Sequence, residues 1–188
     1  GSGGTGTLSY SVSPGLPSGL SINSSTGAIT GTPTVTHATS TFTVTVTDAN
    51  SATASATFAL TINSAVTATQ AVASAVLTAN HAVTTFTPVT GGGGTGTLSY
   101  SVSPSLPAGL SFNTSTGAVS GTPTVTSAAT SYTVTVTDSL GATATNTFNL
   151  TVNGPVQATT AIATVTLTQN KATASLTPVT GGGGSPPS

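Results

Sequence analysis

The stretch GTGTLSYSVSP occurs twice, beginning at Gly4 and again at Gly94, and most of the next fifty residues recur as well. Tyr10 returns as Tyr100, Asp48 as Asp138, Asn63 as Asn153 and Thr90 as Thr180, each displaced by 90 residues. Residues 4–63 and 94–153 align without a gap and agree at about 70% of positions, which marks a tandem duplication. Residues 64–94 and 154–184 match more loosely, sharing Leu77 with Leu167, Pro88 with Pro178 and a run of glycines. A unit of 90 residues is too long for one rung of a solenoid and suits a small two-layer β domain.

Within each unit the hydrophobic period is two. Phe42, Val44 and Val46 fall on one face of a strand and Thr41, Thr43, Thr45 and Thr47 on the other. Ala52, Ala54, Ala56, Phe58, Leu60 and Ile62 alternate in the same way with Thr53, Ser55, Thr57 and Thr61. Residues 48–51 and 138–141 read as hairpin connections between the two long strands. Residues 20–23 and 28–30 flank a second hairpin, whose Gly27 can take a positive φ. Further strands are expected over 7–13, 68–78 and 84–90. The total is about seven short strands per unit. Thr, roughly a quarter of the chain, supports this reading with Val, since β-branched side chains suit a pleated surface.

The segments GLPSGLSINSSTGAITGTPT (residues 15–34) and SLPAGLSFNTSTGAVSGTPT (residues 105–124), each followed by TVTVTD, resemble a known family. They are similar to the immunoglobulin-like repeats of large bacterial surface and secreted proteins, related in fold to cadherin-like domains. The resemblance implies tandem immunoglobulin-like β-sandwiches, an all-β fold, located outside the cell and without chemistry of their own. It also places the boundaries. Residues 64–153 form a complete repeat, residues 1–63 the C-terminal two-thirds of one, and residues 154–188 the N-terminal third of the next. That third is expected to complete residues 1–63 of a following copy, burying Val156, Ile162, Val165, Leu167, Leu176 and Val179. The joints at 63–64 and 153–155 are short, and Pro155 restricts one of them further, which favours a rod over a flexible string.

Charge excludes several function classes. Only 2% of residues are charged, against about 25% in an ordinary domain, and they are Asp48, Asp138 and Lys171. Phosphate binding needs several Lys or Arg, so no nucleic-acid partner is expected. No apolar run approaches the roughly 20 residues of a membrane span, and no membrane insertion is expected of this segment. With no methionine and no signal peptide, the chain is expected to be a fragment or a processed form.

Catalytic and metal sites fare no better. A hydrolytic triad needs a nucleophile, base and acid in reach of one another. His37 aligns with Ser127 and His81 with Lys171, so neither histidine belongs to a repeated site. Calcium takes six to eight oxygens, usually from several carboxylates, and each unit supplies a single Asp. Asp48 and Asp138 are read as turn residues accepting backbone N–H groups. The runs 91–94 and 181–184 lack the Lys and the helix of a phosphate loop and read as flexible or closely packed inter-strand loops. No enzyme activity, cofactor or metal is expected. The expected function is a structural spacer or shaft repeat of an extracellular bacterial fibre or giant adhesin. Its partners would be copies of itself, end to end, as covalent tandem repeats or strand-donating subunits. The abundant Ser and Thr also offer sites for O-glycans. The alternative is a carbohydrate-binding accessory module, which would present exposed aromatic platforms.

Overall fold

The computed structural model describes residues 3–183. The described residues contain strands and turns and no helix, and the chain divides into two compact units between Ala65 and Val66. The fold is all-β, in tandem repeats.

The first unit has five strands: β1 (Ser9–Ser13), β2 (Leu20–Ile22), β3 (Ile29–Gly31), β4 (His37–Thr47) and β5 (Thr53–Ile62). They form a β1-β4-β5 sheet and a separate β2-β3 ribbon, all antiparallel. The β4-β5 hairpin keeps the expected alternation, with Phe42 opposite Phe58 and Val44 opposite Ala56. In the β2-β3 turn Gly27 adopts φ 74°, and its N–H donates to the carbonyl of Asn23 at 2.8 Å.

The second unit repeats this plan and adds to it. Its strands are β6 (Thr67–Gln70), β7 (Ser74–Thr78), β8 (Val89–Gly92), β9 (Ser99–Ser103), β10 (Leu110–Phe112), β11 (Val119–Gly121), β12 (Ser127–Thr137) and β13 (Thr143–Asn153). One layer is the sheet β7-β13-β12-β9, in which β7 runs parallel to β13 and the other pairs are antiparallel. The other layer holds the β6-β8 and β10-β11 ribbons, linked where Phe86 bridges Val119. Val66, Val89, Val119, Tyr132, Val134, Val136, Phe148 and Leu150 close between the layers as one core.

Three sequence expectations need correction. The segment 68–78 is not one strand. It breaks at residues 71–73, where the N–H groups of Ala71 and Val72 both donate to the Pro88 carbonyl, and β6 and β7 lie in different layers. The strand expected over 84–90 begins only at Val89, preceded by the single bridge at Phe86. The glycine run is not wholly a loop: Gly91 and Gly92 belong to β8, opposite Ala68 and Thr67. A Cβ on Gly91 would sit 2.6 Å from Val136 Cγ1 and 2.9 Å from the Tyr100 hydroxyl, so only glycine lets β8 approach the sheet this closely.

After β13 come β14 (Gln157–Thr160) and β15 (Val179–Gly182), an antiparallel ribbon. The residues between them carry no strand, although their counterparts include β7.

Candidate interaction surface

Asp138 organises one end of the second unit's sandwich. Its Oδ2 accepts the N–H of Thr95 at 2.8 Å, and its Oδ1 accepts those of Leu140 at 3.0 Å and Ala142 at 2.8 Å. The carboxylate thus closes its own hairpin and also ties down a loop 43 residues away. Asp48 repeats this with Thr5, Asn50 and Ala52. Both carboxyls are held below the usual aspartate range, above all by the N–H of Thr5 for Asp48 and of Thr95 for Asp138. These are turn-residue roles, as the sequence suggested, with a long-range bond that local spacing does not reveal.

A carboxyl whose folded pKa is depressed stabilises the fold above its unfolded value near 3.8, and that contribution is lost as pH falls through the folded value. Denaturant midpoints are therefore expected to be level from about pH 5 to 9 and to decline below about pH 4. A steep change at neutral pH would contradict this.

The histidines stay apart from these groups. His37 is half-buried, its Nε2 2.7 Å from Ser40 Oγ and its ring 5.7 Å from that of Phe42, so it packs as part of β4. His81 is exposed in the turn after β7. Among the described residues no three His, Asp or Glu side chains cluster as metal ligands would. Among the described residues no helix is long and apolar enough to cross a membrane.

The unusual surface is apolar, and the six residues expected in strand completion lie on it. Val156 is 75% exposed, Leu167 59% and Val179 51%; Val165 and Leu176 are exposed too, and Ile162 is partly covered. Their counterparts one repeat earlier are Val66, Val72, Ala75, Leu77, Phe86 and Val89. Val66 and Val89 are buried there, at 8% and 0%, and Ala75, Leu77 and Phe86 pack against that core. The first unit shows the complementary deficit. Ile29, Val44, Val46, Phe58, Leu60 and Ile62 are all partly exposed, whereas Val119, Val134, Val136, Phe148, Leu150 and Val152 are buried.

The family model described as "Putative Ig domain" matches residues 1–63 and 65–153. The chain belongs to this family. Ig domains of this kind are typically extracellular structural or adhesion modules without enzymatic activity. Among curated proteins no sequence matches the chain. Among solved structures, an I-band fragment of titin is similar over 79% of this chain and 56% of its own, with 12% identity and a TM-score of 0.51. A 282-residue C-terminal fragment of intimin, solved with the intimin-binding domain of its translocated receptor, covers 82% and 55%, with 19% identity and a TM-score of 0.47. A fragment of mouse cadherin-23 covers 79% and 53%, with 18% identity and a TM-score of 0.41. The Ig repeats here thus span about half the length of these structures.

Proposed function

We propose that this chain is a spacer or shaft segment of an extracellular bacterial fibre or large adhesin, non-catalytic, with repeats stacked end to end by strand completion. On this reading residues 1–63, 64–153 and 154–188 are two-thirds of a repeat, a whole repeat and the first third of another. The observation that carries it is the exchange of exposure between equivalent positions: what is buried in the whole repeat is bare on the tail and open in the first unit. The near absence of charge makes such a shaft insensitive to salt, because few surface charges remain to be screened. The dense Ser and Thr hydroxyls would accept O-glycans as a solubilising layer.

The polysaccharide-binding alternative has no comparable support. Among the described residues all three Tyr and all five Phe are buried or half-buried, so no aromatic platform faces solvent.

A spacer must hold under load. Residues 66–153 span roughly 290–320 Å when fully extended, against about 35–45 Å folded. Stretching the chain by its ends in a single-molecule force measurement should release the difference in one discrete step. Gradual lengthening without a step would remove the mechanical reading.

A further inference from the structure

We propose that the outer face of the β9-β12-β13 sheet is an ice-binding surface, and that the β1-β4-β5 sheet of the first unit carries a second one.

The register of the long strands builds a net of hydroxyl groups. Thr135 lies between Thr145 on β13 and Ser101 on β9. Thr133 lies in the same way between Thr147 and Ser103, and Thr137 between Thr143 and Ser99. The residues that alternate with them turn inward, where Val134, Val136 and Phe148 are buried. In these rows the side chains of β9 and β13 are exposed and those of β12 are half-buried. Hydroxyls repeat about every 6.8 Å along a strand and about every 4.8 Å from strand to strand. The first unit has the same net, from Thr43 between Thr57 and Ser13 to Thr47 between Thr53 and Ser9.

Three features set this face apart from an ordinary solvated sheet. No charged side chain belongs to β9, β12 or β13, although Lys and Glu are the usual occupants of exposed positions. The hydroxyls are free for water. None of the threonine hydroxyls in these rows bonds to another protein group, whereas Thr124 Oγ1 donates to the Ala108 carbonyl at 3.2 Å. The net also survives the differences between the two copies. Ala56 stands where the second copy has Asn146, and Ala59 where it has Asn149. Within the net the one difference is Ser55 against Thr145, hydroxyl for hydroxyl.

Such a net is suited to ordered water. Each hydroxyl donates one hydrogen bond and accepts others, and threonine adds a methyl group that water must cage. β-Branching restricts χ1, so the groups hold their places with little ordering cost on contact. The prism faces of ordinary ice present oxygens in a rectangular net with one short and one long repeat, close to the two spacings here. A lattice is held by many weak periodic contacts at once, and a charge would impose a hydration shell that breaks the period. A crystalline polysaccharide would call for aromatic platforms, and among the described residues none faces solvent. Adjacent strands rotate by about 20–25°, so three of them match a flat crystal plane only in part. The expected activity is therefore shaping of crystals and slowing of recrystallisation, not a deep depression of freezing.

Single ice crystals held just below their melting point in a solution of the full chain should grow faceted instead of as round discs. Grains in a frozen film should coarsen severalfold more slowly than with an equal mass of an inert protein. Ser55→Lys combined with Thr145→Lys, both at exposed positions in the middle row of a net, should abolish both effects without changing the melting profile. Ser21→Lys combined with Ser111→Lys places the same charges on the β2-β3 and β10-β11 ribbons and should leave both effects intact. Round discs and unchanged coarsening with the wild-type chain would overturn the proposal. So would full activity in the Ser55 and Thr145 double variant, lost activity in the Ser21 and Ser111 double variant, or retention on crystalline cellulose with no effect on ice. None of these outcomes bears on the force step that tests the shaft reading.

Discussion

Heated as a monomer, the chain should melt in two separate transitions, with the first unit unfolding at least about 20 °C below the second. Ile29, Val44, Val46, Phe58, Leu60 and Ile62 keep part of their surface in water, while their six counterparts are buried. Full burial of such a side chain is worth about 1.5–3 kcal/mol, so half-burial of all six withholds roughly 5–9 kcal/mol. That is comparable with the whole net stability of a small domain, about 5–15 kcal/mol. At about 4–8 °C per kcal/mol, a gap of 20 °C is the low end of the expectation. Calorimetry of the chain at low concentration would read it directly. One coincident transition would mean that the half-open core is as stable as the closed one.

Phe148→Ala should be among the most damaging single changes and should act on the upper transition only. The ring is 1% exposed, stacked on Tyr132 at 5.5 Å between centroids and edge-on to Phe86 at 6.4 Å. Truncating such a side chain costs about 3–5 kcal/mol, which lowers the transition by on the order of 15–30 °C in a domain of this size. Phe58→Ala, at the equivalent position, should lower the other transition by less. Phe58 stacks on Phe42 at 5.6 Å but already faces water on one side. Equal effects on the two transitions would show that the two cores are closed to the same degree.

Much of this was legible in the chain because the long strands carry their own pattern. The alternation of Val44 and Val46 with threonines places β4, and Asp48 marks its turn, by rules that operate within a few residues. The misread parts depend on distant atoms. No Gly or Pro marks the break at residues 71–73, which is set by the carbonyl of Pro88, just before β8. Gly91 and Gly92 look like a loop by composition and are strand residues because Val136 and Tyr100 leave no room for a side chain. The parallel course of β7 along β13 likewise has no local signature. The tail residues Val156, Ile162, Val165, Leu167, Leu176 and Val179 stand out in the sequence only through the repeat, by their alignment with Val66, Val72, Ala75, Leu77, Phe86 and Val89.

Residues 164–168, equivalent to β7, carry no strand, and this bears on how such chains avoid precipitating. An exposed, fully formed apolar strand is a template on which any other chain can pair, and proteins usually blunt such edges with charge or proline. Here only Lys171 and Pro178 lie near, and the protection is of another kind. Val165 and Leu167 sit on backbone that is not extended into a strand. Two tails that collide therefore present no ready ladder to each other, and cross-β stacking has no nucleus to grow from. The sticky surface is switched off by geometry. The remaining hazard moves to β5, whose border is already formed, and it is there that solubilising substitutions would be most effective.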